Sequence, residues 1–162
     1  MHPLQRKLRG VSTSAAIALM LFAAPLTAQK TSLTVTAGTV TFPAPTAADY
    51  IAGYVYSTTG VTFTLDAQTG VSRTTTVSIR STSPNLGNGK LIGELEWRRS
   101  DLAAWGPITV SDAQVEQRIM IRNVSNDPWS NTIFFRMKLS WTSDAPVVYS
   151  ANYQLTLSQT VP

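Results

Sequence analysis

The run Tyr149-Ser150-Ala151-Asn152-Tyr153-Gln154-Leu155-Thr156-Leu157-Ser158 alternates apolar and polar side chains without a break. Successive side chains of a strand project to opposite faces, so this order sends Tyr149, Ala151, Tyr153, Leu155 and Leu157 into a core. It leaves Ser150, Asn152, Gln154, Thr156 and Ser158 wet. A helix needs an apolar repeat near 3.6, which is absent here. The same period of two recurs upstream, where Ile133, Phe135, Met137, Leu139 and Trp141 fall on one side of a second long strand, opposite Arg136, Lys138, Ser140 and Thr142. Phe134 alone breaks that pattern. Val115, Ile119 and Ile121 oppose Glu116, Arg118 and Arg122 on a third strand. Asn126-Asp127-Pro128 supplies turn chemistry between the last two, which predicts a hairpin or close neighbours.

Weaker strands are expected at Ser32 to Thr36, Thr39 to Phe42, Tyr50 to Tyr56, Val61 to Leu65, Thr74 to Arg80 and Leu91 to Trp97. Gly38, Pro43 to Pro45, Gly60, Gly70, Ser83 to Gly89 and Gly106-Pro107 punctuate them at the spacing of a sandwich or barrel. The chain therefore reads as all-β, an immunoglobulin-like antiparallel β-sandwich of about nine strands. At Gly38 the apolar frame slips from odd to even positions. A one-residue slip turns a core face outward, so a bulge or tight turn is expected there, with the flanking strands in different sheets. A single helical turn is expected at Ser100 to Trp105, because Ser100 can cap and Asp101 suits a first turn.

Arg6, Lys7 and Arg9 precede the apolar run Ala15 to Ala24, which leads to Pro25-Leu26-Thr27-Ala28. These are the parts of a secretory signal peptide, expected over residues 1–28, followed by one domain over residues 29–162. The run is shorter than the about 20 apolar residues of a membrane span, so no integral span is expected. The expected location is the periplasm, the exterior or the cell surface. With Arg6, Lys7 and Arg9 taken from thirteen basic residues, ten remain against nine acidic ones. That balance lacks the basic excess by which nucleic-acid binders neutralise phosphates, so no nucleic acid is expected as a partner. His2 is the sole His and Cys is absent. Disulfides, thiolate or imidazole ligation, and Ser-His or Cys-His nucleophiles are thereby excluded from the mature chain. No catalytic residue, cofactor or metal site is expected.

Two candidate sites remain. Arg118, Arg122, Arg136 and Lys138 fall on outward faces of two strands expected to be neighbours, which suggests an anion patch. Glu94, Glu96 and Glu116 stand ready to neutralise it, which would make it an ordinary solvated sheet face. Aromatic side chains form the second candidate: Trp105 and Trp129, near turns, with Tyr54 and Tyr56 on a strand. Exposed rings offer flat apolar surface to a sugar at little entropic cost. Trp97 and Trp141 lie on the inward frame and are expected in the core. Glu94 and Glu96 share a face at a spacing of two, the minimum for paired-carboxylate chemistry. Their cationic surroundings favour a structural role.

The Thr-rich start Thr31 to Phe42 and the closing run Asp144 to Leu157 resemble secreted bacterial β-sandwich proteins of the fimbrial-subunit and spore-coat type. The resemblance implies a structural or adhesive role, with subunits that lend a strand to a neighbour. On that basis Ser32 to Phe42 is the segment expected to join a second copy by strand addition. A carbohydrate-binding module, with a surface glycan as partner, is the alternative. The chain departs from chaperone-usher subunits in having no Cys and in carrying Val161 in place of the usual penultimate Tyr.

Overall fold

The computed structural model describes residues 30–68, 72–120 and 128–160. The expected signal peptide and Arg122 lie outside them. The strands β1 (Lys30–Val35), β4 (Val61–Gln68), β11 (Trp129–Lys138), β8 (Leu95–Arg99) and β9 (Gly106–Pro107) form one antiparallel sheet in that order. A further strand, β3 (Tyr54–Tyr56), also pairs with β11. The second sheet runs β10 (Ala113–Met120), β5 (Arg73–Ser81), β12 (Tyr149–Thr160) and β2 (Thr39–Phe42). A small hairpin of β6 (Asn85–Gly87) and β7 (Lys90–Leu91) completes twelve strands among the described residues.

The two sheets pack face to face because their inward alternates are apolar. Phe63, Leu65, Leu95, Ile133, Phe135 and Met137 come from the first sheet, and Phe42, Val77, Ile79, Tyr149 and Tyr153 from the second, all in one buried cluster. The Phe135 and Tyr153 rings meet across the interface at 5.2 Å. Each such side chain contributes about 1.5–3 kcal/mol on burial, so the core accounts for the fold without a disulfide. The alternation read from Tyr149 to Tyr153 is realised as buried, exposed, buried, exposed, buried; beyond it Leu155 and Leu157 are half-buried.

Gly38 marks a crossing. β1 pairs with β4 in the first sheet, while β2 pairs with β12 in the second. The Gly38 carbonyl accepts from Tyr153 N at 3.1 Å, and the Tyr153 hydroxyl donates to the Ala37 carbonyl. Burial of that hydroxyl pushes its pKa up to about 12.

Several sequence expectations are corrected. The nine strands are joined by three short ones, β6, β7 and β9, of two or three residues each. The segment expected as a strand from Tyr50 begins instead as helix α1 (Ala47–Ala52), and only Tyr54–Tyr56 is extended. Thr46 and Asp49 form a reciprocal capping box, and Gly53 ends the helix at φ 78°, a left-handed conformation that a side chain disfavours. No helix forms at Ser100 to Trp105. The Ser100 hydroxyl donates to Asn131 at 2.7 Å and its N–H to the Thr132 carbonyl at 2.8 Å, so neither is free to start one. The expected hairpin of the third and second strands is absent: β10 pairs with β5, and β11 lies in the other sheet. Trp141 lies beyond the end of β11, exposed and stacked on Tyr50 at 4.4 Å.

Phe63 is wholly buried at the centre of the cluster. Phe63→Ala is expected to lower unfolding free energy by about 3–5 kcal/mol in chemical denaturation.

Candidate functional site

The outward alternates of the first sheet form the candidate site. On β11 these are Phe134, Arg136 and Lys138, since Ile133, Phe135 and Met137 point inward and are buried. Cross-strand register sets Arg136 opposite Tyr56 and Lys138 opposite Tyr54 on one side, and Arg136 opposite Glu96 and Phe134 opposite Arg98 on the other. Trp105, just before β9, reaches back over the sheet, with its ring 5.9 Å from that of Tyr56 at 61°.

Aromatic rings and guanidinium groups interleave here. Arg98 lies 5.0 Å from the Trp105 ring and 5.6 Å from that of Phe134, while Arg136 lies 4.0 Å from Tyr54 and 4.5 Å from Trp105. Such contacts contribute roughly 0.5–1 kcal/mol each at exposed sites and hold the rings in place. A cleft of about 140 Å³ opens between Tyr56, Ser57, Arg98, Trp105, Phe134 and Phe135. Gly60 leaves room for one wall: a Cβ there would sit 2.9 Å from Phe134 Cε1 and 2.5 Å from Thr132 Cγ2.

Glu96 sets the charge balance. It accepts from Arg136 Nε at 2.7 Å and from Lys138 Nζ at 3.1 Å. Burial pushes its carboxyl up, but the hydrogen bonds from Lys138 and Arg136 more than offset this and hold it below its usual range. Arg136 is likewise opposed by burial, yet its hydrogen bonds to Glu96 and Tyr56 raise it. Arg98 Nη1 donates to the Leu102 carbonyl at 2.8 Å, its Nε is buried without a hydrogen-bond partner, and no carboxylate pairs with it among the described residues. Three cations thus face one carboxylate, leaving two positive charges in excess beside the exposed rings of Tyr56 and Phe134 and the half-buried rings of Tyr54 and Trp105.

Of the residues expected in a sugar site, Tyr54, Tyr56 and Trp105 come together here. They are joined by Arg136 and Lys138 of the expected anion patch. Trp129 is elsewhere: it is half-buried at the start of β11, edge-on to Phe63 at 5.2 Å. Arg118 lies over Trp129 at 4.2 Å and belongs to the other sheet, so the four-cation patch does not form as expected. Glu116 pairs with Arg99 and lies 3.9 Å from Arg118. Glu94 is not beside Glu96 on a strand; it closes a 3-10 turn, Ile92–Glu94, and faces Lys90. Arg98, Phe134 and Gly60 complete the site, and no local sequence pattern marks Arg98 or Gly60 as part of it. The break in alternation at Phe134 was the signal that pointed to it.

Flat rings beside fixed donors can stack a sugar ring and pair its anionic substituents. Among the described residues no three His, Cys, Asp or Glu side chains converge as metal ligands. Comparison with family models, curated proteins and solved structures returned no match.

Two carboxylates tie this sheet together, and both titrate low. Arg99 donates to both oxygens of Asp101, at 2.9 and 2.6 Å, and that pairing, aided by Asn131, lowers the Asp101 pKa from 3.8 to about 2. A carboxyl lowered by folding stabilises above its unfolded pKa, and the stability is lost as pH falls through the folded value. Melting temperature is therefore expected to drop as pH falls from about 4 to about 2. Asp101→Asn and Glu96→Gln are expected to flatten that dependence in thermal melts.

Proposed function

We propose that this chain is an exported, non-enzymatic adhesive protein that takes an anionic glycan on the outer face of its first sheet. The cleft bounded by Tyr56, Trp105, Phe134 and Arg98 carries this reading, because it pairs exposed aromatic surface with a guanidinium that has no carboxylate partner. Trp105 and Tyr56 supply stacking surface, Arg98 supplies the ionic contact, and Arg136 and Lys138 supply the surrounding positive field. Export rests on the basic and apolar leader at residues 1–28, which fits a ligand at a cell surface.

Assembly through β-strands is a second reading, supported by one feature. β1 is the outer strand of its sheet and pairs with β4 along all six residues. Ser32 to Phe42 is thus already engaged within its own molecule, in two sheets. A second copy would add a strand to the open side of β1 rather than receive this segment.

A glycan array probed with the exported protein tests the first reading. Sulfated or uronic-acid oligosaccharides are expected to bind in preference to neutral ones, with signal that falls as salt rises. Trp105→Ala and Arg98→Ala are each expected to weaken binding about tenfold, the equivalent of about 1.4 kcal/mol. Binding that is confined to neutral sugars, or that survives both substitutions, would contradict it.

A further inference from the structure

A second cluster lies where the β6–β7 hairpin meets the loop between β11 and β12. Lys90 Nζ donates to Asp144 Oδ2 at 2.7 Å and approaches Glu94 Oε1 at 3.2 Å. The Lys90 and Asp144 side chains are 1% and 5% exposed, and Glu94 is 40% exposed. Ser140 N also donates to Asp144 Oδ2, at 2.7 Å, and the Tyr50 hydroxyl holds the Asp144 carbonyl at 2.9 Å. Leu91 N holds Glu94 through Oε2 at 3.2 Å. Asp144 and Glu94 are thus each held by a further contact.

We propose that Lys90 and Asp144 condense to an intramolecular amide, with Glu94 as the proton carrier. Burial makes a charged pair costly, and moving one proton across the Lys90–Asp144 hydrogen bond converts it to a free amine and a carboxylic acid. The Nζ lone pair adds to Cγ of Asp144, and the C=O π electrons move onto Oδ1, while Oδ2 holds the transferred proton beside Ser140 N. Glu94 takes one proton from the nitrogen and delivers it to Oδ2, which with the proton it already carries leaves as water as the Cγ=Oδ1 bond re-forms. Amine plus acid gives amide plus water, Glu94 ends as it began, and no oxidant or co-reactant is needed.

The position suits a cross-link. Lys90 and Asp144 are 54 residues apart, and joining them restricts the unfolded chain as a disulfide would. This chain has no Cys to do so. The inference is independent of the glycan site, which lies on other residues.

Intact mass and tryptic mapping of the full exported chain test the proposal. The folded protein is expected to weigh one water less than its sequence. Trypsin is expected to leave Lys90 uncut and to release the peptide Ser81 to Arg98 joined to the peptide that begins at Leu139. Glu94→Gln is expected to keep the water and give separate peptides while retaining the same circular dichroism, which distinguishes a lost reaction from a lost fold. Lys90→Met also removes the bond. A folded parent chain of full mass that is cleaved after Lys90 would overturn the proposal, and a Glu94→Gln chain that still condenses would overturn the role of Glu94.

Discussion

Ile133, Phe135 and Met137 are almost wholly shielded from water, and each is one residue from a side chain on the opposite face of β11. Their burial pins the register of the strand, because a slip of one position would expose all three and bury Phe134, Arg136 and Lys138. β11 also has partners on both sides: β4 and β3 along one edge and β8 along the other. The face that carries the rings and cations is consequently held by the core beneath it. A surface built this way is preorganised, since none of its strands can shift without opening the sandwich.

Charge is distributed unevenly over this scaffold. Glu96 lies largely buried between Arg136 and Lys138, and Arg99 joins Asp101 and Glu116 near Trp129. Those groups satisfy one another. Arg98 differs, because its hydrogen-bonding partner is a carbonyl and the rings around it repel water without neutralising its charge. At the opposite end of β11, past Lys138, Lys90 and Asp144 are enclosed beneath Tyr50. One sandwich therefore carries two chemically distinct clusters, one lining an open cleft and one a buried ion pair.

Much of the fold was legible because period-two alternation is a direct consequence of strand geometry, and Gly38 announced its crossing through the frame slip alone. Helix α1 was hidden because six residues are too few to display a 3.6 repeat, leaving only Thr46 and Asp49 as cues. The turn residues between β10 and β11 point to a hairpin because consecutive strands linked in this way usually neighbour each other, whereas here the two strands lie in different sheets. Tyr54, Tyr56 and Trp105 were recognisable as candidates by type. Their meeting with Arg98 was not, since it depends on the β3–β11–β8 order, a long-range pairing that no local pattern encodes.

The absence of Cys from the chain permits a direct test of the division of labour along β11. Single Cys substitutions at successive positions from Thr132 to Lys138, each labelled with a thiol reagent in the folded state, report which side chains meet water. Labelling is predicted at positions 132, 134, 136 and 138, with protection at 133, 135 and 137. Uniform labelling, or protection that repeats every three to four residues, would contradict a strand that divides core from outer face.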